Sequence, residues 1–417
     1  METKQEKFDV AVIGGGPAGM MTAGRAAELG AKVILIEKNP TFGKKLLITG
    51  KGRCNITQAE FDNRKFVEAL GKNGKFLFSS LSVFGPKEAI DFFESKGLQT
   101  KVERGGRVFP TTDCAQDVLN ALLLYLKTNK VEIKAGAKIL GFDVKDNHIN
   151  CARLANGENI FAKNFIIATG GKSYPATGSA GDGYTWAKNL GHKITDTRPA
   201  LTPVKIKEEW PKKLSGLSLK NVSINIFQNN KKQDSRFGEM LFTHFGISGP
   251  IILDASKKIG ELLKNGEVVI QIDLKPALDF TKLDERIQRD FKTITKKDFV
   301  NYLPELLPHK LIQIFVELLG IDPRKKINAI TKEERGNLVK MLKDLRMTVE
   351  NVVGYEQAIV TSGGVDIKEI DQKTMRSKII DNLFFAGEII DIDGPTGGYN
   401  LQICWSTGYS AGSSAGR

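Results

Sequence analysis

Glycines stand at the first, third and sixth positions of Gly14-Gly15-Gly16-Pro17-Ala18-Gly19, directly after the apolar run Val10-Ala11-Val12-Ile13. In such a turn Gly14 permits the tight reversal, Gly16 lets the backbone approach a pyrophosphate, and Gly19 lets a helix pack on a strand. Pro17 and Ala18 open that helix, whose N-terminus offers free N–H groups and partial positive charge to phosphates. A second apolar run, Val33 to Ile36, ends in Glu37 and Lys38, with Glu37 18 residues after Gly19. An acid there accepts hydrogen bonds from ribose hydroxyls and repels a 2′-phosphate. A chance glycine turn would lack the strand, helix and acid that surround this one. The spacing is a dinucleotide-binding fingerprint, and by itself it does not separate FAD from NAD.

The other end of the chain makes that separation. Leu383-Phe384-Phe385-Ala386-Gly387-Glu388 reads as a strand ending in Gly-acid, followed by Gly394-Pro395-Thr396-Gly397-Gly398-Tyr399-Asn400 and a helix from Leu401 to Ser410. Glu388 suits ribityl hydroxyls, and the helix N-terminus suits the pyrimidine edge of an isoalloxazine, where its dipole stabilises the reduced ring. Gly397 and Gly398 offer backbone contacts there, with Tyr399 and Asn400 on the flavin side. The bland reading is a glycine-rich connection between core elements. Another strand, Phe165 to Ile167, runs into Ala168-Thr169-Gly170-Gly171, which brings Thr169 and Gly170 to the cofactor. A third glycine cluster, Gly178 to Tyr184, follows no apolar strand, so it reads as a loop and helix start flanking the flavin rather than a second nucleotide site. FAD is therefore the expected cofactor, with NADH or NADPH as a donor that visits and leaves.

These loops need a scaffold. The chain has 417 residues, 61 Lys+Arg against 48 Asp+Glu for a net charge of +13, and 23 Phe in a 41% hydrophobic composition. That excludes a single small module and wholesale disorder. No apolar run reaches the ~20 residues of a membrane span, and the polar opening residues lead into a strand rather than a signal peptide. Cys54, Cys114, Cys151 and Cys404 form no CxxC pair, which fits a reducing cytoplasm and excludes a zinc ribbon or disulfide framework. No metal-ligand cluster, P-loop or Ser-His-Asp arrangement is readable.

The first forty residues begin a βαβ unit. After Thr197 the pattern becomes short alternating strands such as Val222 to Ile226, then helical from Pro276 to Asp344, and near Gly354 the α/β texture returns. The expected fold is α/β: a Rossmann-like FAD-binding domain over 1–196 and 351–417, an inserted antiparallel β domain over 197–275 and 345–350, and a helical subdomain over 276–344. Residues 197–344 hold 27 basic against 19 acidic residues, a net of +8 that leaves +5 for the rest.

At four separated motifs the chain resembles the BaiN/YhiN-like flavoproteins, the aminoacetone-oxidase-type FAD-binding family, over essentially its whole length. They are Gly43 to Asn55, Phe242 to Pro250, Thr361 to Val365, and Gly387-Glu388 through Asn400-Leu401-Gln402. Position 51 carries Lys where that family usually has Gly. The resemblance implies a two-dinucleotide-binding FAD domain with a β-barrel-like insert and a helical subdomain. It also implies reduction of activated C=C bonds, in unsaturated 3-oxo bile acids or in uridine of large-subunit ribosomal RNA.

Reducing an alkene conjugated to a carbonyl needs hydride at the β-carbon, polarisation of the carbonyl and a proton at the α-carbon. Cys54, in the glycine-rich loop, is a candidate acid, or else a small packed thiol. His244 is a candidate polarising donor, or else structural. Arg53 and Lys45 are candidates for FAD or substrate phosphate, with Gly50 and Leu401 also near the cofactor. Lysine pairs at 212–213, 231–232, 296–297 and 325–326 make the basic insert a candidate ribosomal RNA or other nucleic-acid surface. The alternatives are a small-molecule enone reductase and a flavin-carrying RNA-binding protein without turnover. No membrane contact and no stable protein partner are expected.

Overall fold

Val10, Ala11 and Val12 are all fully buried, as are Leu35, Ile166 and Ile167. Such unbroken apolar runs suit strands covered on both faces, as in a parallel sheet. Lys7–Ile13 lies at the centre of a seven-stranded sheet, parallel to Val33–Glu37 on one side and to Asn159–Ile167 on the other. Glu132–Ala135 extends the first side, and His148–Leu154 then Ile139–Lys145 extend the second as antiparallel strands. The seventh strand, Leu383–Phe385, comes from near the end of the chain and pairs in parallel with Asn159–Ile167. The computed structural model describes residues 7–417. The polar residues 1–6, read above against a leader peptide, lie outside the described residues.

The crossover between the first two strands is the helix Pro17–Glu28, opened by proline at its first position and buried along Ala18–Gly24 and Ala26. The small residues have a reason. The last helix, Tyr399–Ala415, lies so close that a Cβ on its Gly408 would sit 2.7 Å from the carbonyl oxygen of Ala18. That last helix runs beyond Ser410 because Ala411 and Ala415 are also buried.

The chain divides into two compact units, Met1–Ala200 with Tyr355–Arg417, and Leu201–Gly354. The second unit contains a closed six-stranded barrel in the order Val204–Ile206, Gly246–Ser248, Lys231–Thr243, Ser218–Gln228, Val268–Asp273 and Leu345–Val352. All its pairings are antiparallel. The helices Phe280–Thr293, His309–Leu319 and Lys332–Lys343 share one apolar core with it, through Leu283, Ile287, Leu311, Phe315 and Leu338. Asp279 caps the first of these helices, and Thr331 and Glu334 form a capping box on the third. The expected class, a dinucleotide-binding α/β unit with an antiparallel barrel and helices, is the fold of the molecule.

Candidate flavin site

At the carboxyl ends of Lys7–Ile13, Val33–Glu37 and Asn159–Ile167 the first unit encloses a cavity of about 1320 Å³, measured out to its open mouth. This is where α/β sheets hold their ligands. Its floor depends on two glycines. Gly14 has φ +112°, and a Cβ there would meet the Ala168 carbonyl oxygen at 2.5 Å; one on Gly19 would lie 1.8 Å from the Gly14 carbonyl oxygen. Gly16 is the opposite case, because nothing lies within 4 Å of the Cβ it lacks. It opens onto the cavity with Pro17 and Ala18, leaving room for phosphate against the helix N-terminus.

Glu37 also lines the cavity, and its carboxylate is already oriented: Oε2 accepts from the Gly15 N–H at 2.6 Å, and Oε1 accepts from the Asn39 N–H and Nδ2 at 2.8 Å. A carboxylate has about four acceptor positions, so capacity remains for ribose hydroxyls. Lys38 pairs with Asp182 at 2.5 Å. Further along, Lys45 pairs with Glu388 at 2.7 Å, and the other Glu388 oxygen accepts from the Thr361 N–H at 2.7 Å. Thr169 contributes a buried hydroxyl with no hydrogen-bond partner among the described residues. Oriented acids at separate stretches of the wall, a phosphate-sized opening and an unsatisfied hydroxyl together fit an extended dinucleotide such as FAD.

Among the residues expected at the cofactor, Gly14, Gly16, Pro17, Ala18, Glu37, Lys38, Lys45, Thr169, Gly170, Glu388, Asn400 and Leu401 line this cavity. The others lie outside the lining. Gly19 is enclosed by helix packing. The Gly387 N–H donates to Thr407 Oγ1 at 2.9 Å. Gly397 and Gly398 make the turn into the last helix, and the Tyr399 ring packs on Phe66 with centroids 4.8 Å apart.

Arg53 corrects the phosphate expectation. Its guanidinium makes two hydrogen bonds to Glu103, at 2.8 and 3.2 Å, and one to Asp113 at 3.1 Å, while lying 3.9 Å over the Phe109 ring. That clamp holds the 50–53 loop to the Thr100–Pro110 hairpin; Arg53 holds Glu103 below the usual carboxylate range, and Lys101, with Arg53 second to it, does the same for Asp113. Gly50 and Lys51 are both left-handed, with φ of 56° and 59°. Lysine thus stands in a conformation glycine adopts without strain, which accounts for glycine being usual there.

Cys54 also departs from its expected place. It is wholly buried in the first unit's core, outside the cavity lining, and burial pushes its thiol up to about 12. A thiol in that setting packs and does not meet a substrate. His244 sits exposed on the two-residue turn between Lys231–Thr243 and Gly246–Ser248, its ring against Phe245 at 4.8 Å. Several wall residues were not foreseen: Thr49, Lys138, Ile139, Val360 and Cys404. Cys404 was findable, since it follows Asn400 by four on one helix face. Lys138 and Ile139 come from a connection with no motif of its own.

A Rossmann-type unit with a dinucleotide cavity defines a class: this is a flavin-dependent oxidoreductase, with FAD as its cofactor. The chain belongs to the family described as HI0933-like protein Rossmann domain, whose model matches residues 8–414. It is 32% identical over 411 residues to a Clostridium scindens protein named 3-dehydro-bile acid delta(4,6)-reductase, covering 97% of this chain and 98% of that one. It is 30% identical over 413 residues to an Escherichia coli protein named ribosomal RNA dihydrouridine synthase, covering 97% of each. Among solved structures, a 3-ketosteroid-delta4-(5alpha)-dehydrogenase from Rhodococcus jostii RHA1 aligns over 100% of this chain and 98% of its own, with TM-score 0.57 and 14% identity, a likeness of fold. Among the described residues no helix is long and apolar enough to cross a membrane, and no group of His, Cys, Asp and Glu could hold a metal ion.

Proposed function

We propose that this protein reduces the C=C bond of uridine in ribosomal RNA, giving dihydrouridine, with NADH or NADPH as a transient donor. The observation that carries the reading is the end-to-end similarity to a relative named for that reaction, in a chain of net charge +13 and pI about 9.3. A polyanionic substrate favours such a charge. The names of these two relatives have one chemistry in common, since a delta(4,6)-unsaturated 3-oxo bile acid and a uracil ring both present an alkene conjugated to a carbonyl. Bound FAD supplies the hydride such a reduction requires.

The chain's own residues have the remaining tasks. The Gly16 to Ala18 backbone receives phosphate and Glu37 receives ribose. The Lys45–Glu388 pair and Asn400 order the far end of the cavity. His244 is assigned as the donor to the substrate carbonyl, and His244→Ala is expected to lower turnover while FAD content stays constant. Loss of FAD in that variant would make the residue structural. The deciding experiment is mass spectrometry of ribosomal RNA from a deletion strain. An unchanged dihydrouridine level, in a strain where no second enzyme makes the mark, defeats the reading.

A second reading, a small-molecule enone reductase, is favoured by the 32% identity to the Clostridium scindens relative. NAD(P)H-dependent turnover of a 3-oxo-4-ene steroid by the purified protein, together with inertness toward RNA, would establish it instead.

A further inference from the structure

Building on the ribosomal RNA reading, we infer that Lys72, Lys75 and Phe78 in the first unit form a stripe that grips single-stranded RNA beside the Gly394–Asn400 loop. The three residues are spaced three apart on the 3-10 segment Gly71–Leu77 and its continuation into the helix Phe78–Val83. A 3-10 turn takes three residues, so side chains at this spacing lie in a line about 6 Å apart. All three are exposed, and Phe78 keeps 43% of its surface in solvent. An exposed ring in line with two ammonium groups is the arrangement that binds a single strand, with phosphates on the cations and a base on the ring.

The stripe is fixed in place. A Cβ on Gly74 would lie 2.0 Å from the Val67 carbonyl oxygen, so the segment is pressed onto the helix Asn63–Ala69. Asn73, between the two lysines, donates to the Asp391 carbonyl oxygen at 2.7 Å, and Phe66 packs on Tyr399. The stripe is therefore tied to both sides of the loop that leads into the last helix.

Charge sets this surface apart from two of the four lysine pairs of the second unit, while the exposed Lys231–Lys232 and Lys296–Lys297 are, like it, without a carboxylate partner among the described residues. Lys212 and Lys213 are in ion pairs with Glu209 and Glu317, and Lys325 and Lys326 with Glu334 and Asp298. Lys72 and Lys75 have no carboxylate partner among the described residues, and neither do the exposed Arg64 and Lys65 on the adjoining helix. Unpaired cations retain the full attraction for phosphate.

The test is fluorescence anisotropy of the FAD-loaded, full-length protein with a short labelled single-stranded RNA across a salt series. Each phosphate contact contributes about 0.7 to the slope of log K against log salt. Lys72→Ala/Lys75→Ala is expected to flatten that slope by about 1.4, and Lys72→Arg/Lys75→Arg to preserve it. Phe78→Ala is expected to weaken binding by about 5- to 150-fold with the slope unchanged, the loss of one stacked base. FAD content and melting temperature, read on every variant, report folding. An unchanged slope in the Lys72→Ala/Lys75→Ala variant overturns the inference, as does a larger flattening in Lys231→Ala/Lys232→Ala. A wild-type protein that binds RNA but leaves uridine unreduced defeats the functional reading separately, because the slope and stacking effects would still be measurable.

Discussion

Neutralising one partner of the Lys45–Glu388 pair is expected to loosen the first unit by a measurable and asymmetric amount. The side chains are 20% and 16% exposed, their contact is 2.7 Å, and Glu388 also accepts from the Thr361 N–H. Removing one member of a fully buried pair costs about 3–5 kcal/mol, because the other charge is left without compensation. Partial exposure places this pair lower, at about 2–3 kcal/mol for Lys45→Met. Glu388→Gln costs about as much, since it strands the ammonium while keeping an acceptor for Thr361. The double variant leaves no charge unmatched, so it should cost less than the two singles together, with a coupling of about 1–3 kcal/mol. The assay is thermal unfolding followed by release of flavin fluorescence. At about 2–4 °C per kcal/mol for a unit of this size, each single variant should lower the midpoint by roughly 4–12 °C. Singles within 1 °C of wild type, or a strictly additive double, would refute the reasoning and make the pair a solvent-screened contact.

Three other outcomes follow from the geometry. Gly19→Ala should abolish FAD retention, because its Cβ would sit 1.8 Å from backbone oxygen with nothing flexible to yield; FAD content of the purified variant is the measurement. Iodoacetamide should spare Cys54 in the native protein, since it is wholly buried, burial raises its thiol to about 12, and the thiolate is the reactive form. Raising the pH from 7 to 9 leaves it protonated, so peptide mass spectrometry should find it unlabelled until the protein unfolds. Lys343→Met should destabilise the second unit by about 3 kcal/mol in urea titrations, because the buried Lys343 ammonium donates to Asp273 and to the carbonyls of Lys275 and Leu278.

The parts of this molecule that were legible beforehand are those in which backbone geometry dictates residue type. A glycine turn between a strand and a helix, followed by an acid after the next strand, has few physical uses, and the apolar runs on either side of it read as buried strands. Side-chain destinations were less legible. Arg53 looks the same in sequence whether it meets phosphate or two carboxylates, and only the fold brings Glu103 and Asp113 to it. Cys54 gives no sign in sequence that its loop turns the thiol inward. The charge count of the barrel unit was correct as arithmetic, yet it could not say which lysines were already paired.

The strand Leu383–Phe385 completes a seven-stranded sheet whose other six strands are made before residue 168, and the helix Tyr399–Ala415 packs on Pro17–Glu28. A ribosome therefore delivers the whole of Leu201–Gly354 between the two halves of the flavin unit. At about 5–20 residues per second, the 217 residues from 200 to 417 take on the order of 10–40 s to synthesise. For that interval the nascent sheet has one uncovered edge on Asn159–Ile167, and the helix Pro17–Glu28 lacks its partner. The barrel can fold while the flavin unit waits, so the nascent chain should acquire its cofactor last and depend on chaperones in the meantime.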